Sequence, residues 1–99
     1  MAKFDVYRER AGTGYVLDCQ ADTLSDLATR FVVPLLPLDM APHPDGRLNP
    51  IFQIRGEQHV MVTQFAGAMP CRQIGPIVAS LRDHDIAISN ALDMLISGI

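Results

Sequence analysis

Apolar positions in the last twenty residues repeat at helical spacing. Leu81, Ile88, Leu92, Leu95 and Ile99 recur at three-, four- and seven-residue steps, which at about 100° per residue form one narrow stripe. Ile86, Asn90, Asp93 and Ser97 make a second lane on the opposite side. The pattern predicts a helix starting at Ser80 as N-cap, with Asp83 three residues on and Asp83 and Asp85 at the positive end of the dipole. Gly98 stands where a left-handed C′ residue is wanted, with Ile99 as its apolar partner. Ile86 is β-branched and apolar on the supposedly wet side, Met94 lies only partly off it, and the helix is expected to end at Ile99 in an uncovered tip. A buried stripe and a polar lane running to a small free tip are therefore expected.

Upstream the period falls to two. Phe4, Val6 and Arg8 alternate with Lys3, Asp5 and Tyr7, the signature of a half-buried strand. Gly12-Thr13-Gly14 reads as a turn and Tyr15 to Cys19 as a returning strand. Ala21 to Ala28 is mixed, a loop with some helical turn. Thr29 to Val33 is a third strand, which Pro34 and Pro37 are expected to end. Leu38 to Asn49 reads as a long surface loop. Ile51 to Ile54 and Val60 to Thr63 flank Arg55-Gly56-Glu57 as a hairpin, with His59 as a surface strand residue. Thr63 to Pro70 continues as a bent strand or loop in which Gly67 permits a bulge, and Cys71 to Ile77 is a further short strand broken by Gly75 and Pro76. Many short strands and one terminal helix predict an α+β, mostly β fold: a small bent antiparallel sheet or barrel with the helix packed on it.

Ninety-nine residues make a single domain, 1–99, with a modest core that oligomerisation would help. Hydrophobic residues at 48% against 19% charged exclude a disordered chain. A net charge of −3 argues against stand-alone nucleic-acid binding and leaves room for a basic partner. Cys19 and Cys71 form no C-x-x-C pair, so reduced thiols packed as small hydrophobes are expected. The N-terminal stretch has no apolar signal region, and no run approaches the ~18 residues of a membrane helix. A cytoplasmic protein without membrane contact is expected.

No P-loop, G-x-G-x-x-G or G-x-S-x-G occurs, and His43, His59 and His84 share no metal-ligand spacing. Neither Ser80 nor Ser89 can be given a base and an oxyanion hole. Arg30 suits a structural ion pair better than a phosphate contact, and His84, between Asp83 and Asp85, suits a solvated first turn. No catalytic residue, metal or cofactor is implied, and an enzyme is not expected.

The order of several short motifs resembles the CcdB family of toxins from toxin–antitoxin pairs. Phe4-Asp-Val-Tyr7 resembles its opening strand, Gln20-Ala-Asp22 its Val-Gln-Ser-Asp motif with Cys19 for valine, and Arg30-Phe-Val-Val-Pro-Leu35 its Arg-Met-Val-Ile-Pro-Leu strand. Pro50, Ile54, Met61, Thr63 and Met69-Pro70 fit the following strands, and Asn90-Ala91 and Gly98-Ile99 the helix. The resemblance implies an SH3-like barrel with a C-terminal helix, of the CcdB/MazF-like kind, working as a homodimer. It implies a poison that binds the GyrA subunit of DNA gyrase, traps the cleaved DNA complex and is neutralised by a CcdA-like antitoxin, with operator DNA bound only together with that antitoxin. Carried over, the gyrase-binding positions are Asn90, Asp93, Ser97, Gly98 and Ile99, with Thr23 and Leu24 nearby. The chain departs from the family's best-known member at Ser97, where that member has tryptophan, at Asp93 in place of asparagine and at Ile96 in place of phenylalanine. Two alternatives accompany this reading: a degenerate, non-toxic homologue, and an SH3-like endoribonuclease toxin using Arg30 or a histidine.

Overall fold

The computed structural model describes residues 1–12, 14–41 and 43–98. Its strands are β1 (Asp5–Glu9), β2 (Tyr15–Asp18), β3 (Thr29–Pro37), β4 (Ile51–Ile54), β5 (Glu57–Met61), β6 (Gly67–Pro70) and β7 (Ile74–Ser80), followed by the helix α1 (Asp85–Ser97). All the pairings are antiparallel, in the order β4-β5-β3-β2-β1-β7, with β6 also on β3. The result is a curled half-barrel closed at one end by the helix, the mostly β architecture expected from the punctuation of the sequence. The turn between β1 and β2 includes Thr13, outside the described residues.

β3 holds the sheet together. Its central residues, Val32 to Leu35, pair with β2 on one edge, while the other edge is shared by β6, opposite Thr29 to Val32, and β5, opposite Leu35 to Pro37. Pro34 does not end this strand as the sequence suggested. Its carbonyl accepts the Val62 N–H on the shared edge, so its ring nitrogen faces the gap between β6 and β5, where no ladder bond is lost. β7 likewise runs through Gly75 and Pro76, because it is an edge strand whose pairing with β1 is already broken by register shifts. A Cβ on Gly75 would lie 2.6 Å from the Arg8 carbonyl oxygen, so this close approach requires glycine. The β4–β5 hairpin turns on Arg55 and Gly56 alone, both at positive φ (54° and 83°), a two-residue turn whose twist suits the flanking strands. Thr63 leaves β5 for a 3₁₀ turn, Thr63–Phe65.

Both faces of the sheet are covered. On one, Val6, Leu17, Val33, Leu35, Phe52, Ile54 and Met61 pack with Leu81, Ile88 and Ala91 from the helical end. On the other, Tyr7, Val16, Val32 and Ile74 form a second cluster with Met69 against it. Tyr7 is thus buried, not solvated, because Val16, Val32 and Ile74 cluster with it and Met69 from β6 packs against them. Its phenol stays protonated above the ordinary range through burial and then the nearby Asp5 carboxylate. His59 is also buried, packed on the Tyr15 ring with centroids 5.1 Å apart. Alternation along a short strand could not reveal either, since both depend on what folds across the strand. Cys19 is buried as expected, and desolvation pushes its thiol up to about 12, whereas Cys71 is half-buried.

Candidate functional site

The lane anticipated from periodicity is a physical surface. Ile88 is fully buried, Ala91 with it, and Leu92 packs at the margin of the core. Asn90, Asp93, Ser97 and Gly98 stand outside that core, all four exposed, with Ile86 at 73%. The stripe is less covered towards its end: Leu95 is 42% exposed, and Ile96, beside the stripe, is 76% exposed, so the last turn presents apolar surface. Ile99 lies outside the described residues. Gly98 takes the left-handed conformation (φ 74°) and donates its N–H to the Met94 carbonyl at 2.9 Å, closing the helix as foreseen.

The helix start differs from expectation. Ser80 ends β7, and α1 begins at Asp85 after a 3₁₀ turn, Arg82–His84. The Ser80 hydroxyl accepts the Arg82 N–H at 3.3 Å, while the Leu81 N–H donates to the Phe4 carbonyl at 2.8 Å. That strand-type bond holds Leu81 beside β1 and delays the helix by one turn. His84 is exposed but not merely solvated: its ring tilts against Phe52 with centroids 5.0 Å apart.

Thr23 and Leu24 occupy another element, the exposed 3₁₀ turn Asp22–Leu24. No hydrogen bond among the described residues joins it to α1. The turn is tied instead to β2 and β3 by a buried polar group. The Gln20 amide donates to the Leu24 carbonyl at 2.8 Å and accepts the Phe31 N–H at 2.9 Å. Asp18 accepts the Gln20 N–H at 3.0 Å through Oδ1, and both Nε and Nη2 of Arg30, at 3.0 and 2.6 Å, through Oδ2. The Lys3 N–H donates to Asp22 at 2.8 Å. Gln20 was legible only as part of a motif, and its positioning role comes from its buried amide. Arg30 is 1% exposed, the structural ion pair expected, and is closed to a phosphate.

The exposed helix face offers hydrogen-bonding groups and apolar bulk. Among the described residues no group of three His, Cys, Asp or Glu could hold a metal ion, and no helix is long and apolar enough to cross a membrane. The arrangement suits contact with another macromolecule. A model of the CcdB family, described as CcdB protein, matches residues 3–98. The chain belongs to the CcdB family. It is accordingly a toxin of the toxin–antitoxin type, and the match spans both the Asp22–Leu24 turn and the helix through Gly98. CcdB membership also accounts for the order of motifs along β1, β3 and α1.

Proposed function

We propose that this CcdB-family chain poisons DNA gyrase. As a homodimer it docks on GyrA through the α1 lane and tip, and traps the cleaved DNA complex without bond-breaking chemistry of its own. A CcdA-like antitoxin neutralises it, and operator DNA is engaged only by the two together. The observation that carries this reading is the last turn of α1, where Ile96 is largely exposed and Leu95 partly so beside Asn90, Asp93 and Ser97. Burying such apolar area against a partner is favourable at roughly 25 cal/mol per Å², and a monomer gains nothing by displaying it.

Overexpression in a sensitive bacterium carrying a DNA-damage reporter tests the proposal. Wild type should arrest growth and induce the reporter. Gly98→Glu, or deletion of Gly98 and Ile99, should do neither while the purified variant keeps its circular-dichroism spectrum. Full toxicity of the truncated form would move the site elsewhere. A harmless wild type would support the degenerate reading, which Ser97 and Asp93 favour by removing an aromatic anchor and adding charge. Cleavage of RNA by the purified chain would replace the proposal with the nuclease reading.

A further inference from the structure

A groove of about 220 Å³ runs between α1 and the turn before β4, lined by Gly46, Arg47, Pro50, Ala87 and Asn90. The sequence marks this turn as ordinary surface loop, yet it is braced from within. The Asp45 carboxylate accepts the N–H groups of Arg47 and Leu48 at 3.0 and 3.1 Å, and Asp45 and Asn49 exchange two further bonds at 3.0 and 2.7 Å. The Asn49 amide, itself buried, donates to the Met61 carbonyl and Gln64 Oε1 at 3.1 and 2.7 Å, and the fully buried Thr63 hydroxyl donates to the Leu48 carbonyl. Two buried polar side chains are thus committed to holding a surface turn against the 3₁₀ segment that follows β5. A connection between strands needs no such bracing, because loops tolerate mobility. Its effect is to hold the backbone of Arg47, an exposed residue that lines the groove together with Asn90. Among the described residues the Arg47 guanidinium makes no hydrogen bond or ion pair; its backbone N–H alone is engaged.

We propose that this groove reads a carboxylate on the protein that docks along α1, with the Arg47 guanidinium and the Asn90 amide as donors. The inference rests on the docking function proposed above and specifies what the partner must present. A guanidinium matches a carboxylate fork, and a side-chain amide adds a third N–H. The ionised side chains on α1 itself, Asp85 and Asp93, are both acidic. Asp93, one turn from Asn90, disfavours a carboxylate farther along the helix, and the Asp45 carboxylate beside Arg47 is already engaged by the Arg47 and Leu48 N–H groups, so the Arg47 charge favours seating the carboxylate at the groove and thereby sets register. A nucleic-acid phosphate is the poorer fit, since a single cation on a chain of net charge −3 offers little counterion release.

Titration calorimetry of purified GyrA against wild type, Arg47→Glu, Arg47→Lys and Gly98→Glu tests this, with circular dichroism as a check on folding. Arg47→Glu should weaken binding about tenfold or more and flatten its salt dependence. Arg47→Lys, which keeps the charge but not the fork, should fall between it and wild type. Gly98→Glu should abolish binding. Wild-type affinity in Arg47→Glu beside a dead Gly98→Glu overturns the carboxylate subsite and leaves the docking face standing. No binding by wild type, or equal binding by all four, removes docking and subsite together. A loss in Arg47→Glu seen only with an antitoxin peptide assigns the groove to that partner and overturns the proposal as stated.

Discussion

Asp18 with Arg30, and Asn90 with Asp93, are two polar pairs treated in opposite ways by the same fold. The first is sealed between β2 and β3, with Asp18 bonded through both oxygens and only Nη1 of Arg30 without a partner. The second stands on the outer side of α1, on the same helix as the exposed Ile86 and Ile96. A buried charge must be satisfied from inside the molecule or the chain does not fold. An accessible polar group has no such obligation, so its arrangement is free to suit something outside. Polar side chains therefore serve integrity in one place and recognition in the other, and burial decides which.

The contrast can be broken most forcefully at Arg30. Arg30→Met strands the Asp18 carboxylate and should cost about 3–5 kcal/mol in urea unfolding. The same variant should also loosen the Asp22–Leu24 turn, which proteolysis at that turn would register. Ile88→Ala removes a fully buried side chain from the helix seam and should cost about 2–5 kcal/mol. Cys19 sharpens the point through pH. Its folded value of about 12 exceeds the ordinary 9.0, so its stabilising effect is complete below pH 9 and is lost as pH rises towards 12. At pH 10 wild type should have lost roughly 1 kcal/mol more than Cys19→Ala, relative to neutral pH. Ile86→Ala, on the lane, should change stability by less than about 0.5 kcal/mol. If it proves as costly as Ile88→Ala, the lane is structural and the contrast fails.

The legible parts of the fold were those set by local pattern. The helix stripe, the Gly98 cap, the hairpin at Arg55-Gly56-Glu57 (whose returning strand starts at Glu57 and not at Val60) and the strand-and-breaker rhythm all depend on spacing within a dozen residues. What escaped depended on partners distant in sequence. Pro34 sits harmlessly in β3 only because two different strands meet opposite it, and Tyr7 and His59 are covered by residues of other strands, Ile74 and Met69 for the one and Tyr15 for the other. Ser80 fails to start the helix because Phe4 keeps Leu81 on the sheet. For the candidate site, the lane was readable from periodicity, and Thr23 and Leu24 entered through the family resemblance alone. Asn49 and Thr63, which brace Arg47, carried no sequence signal of that role, since it is set by carbonyls that only the fold brings near.

The double pairing of β3 has a consequence for how the molecule breathes. Every neighbour of this strand can detach from one side while the other side still holds it. Its central amides around Val33 should therefore exchange with deuterium last, opening only when the whole chain comes apart. The last turn of α1, where Leu95 and Ile96 are exposed, should by contrast exchange early, before the sheet opens.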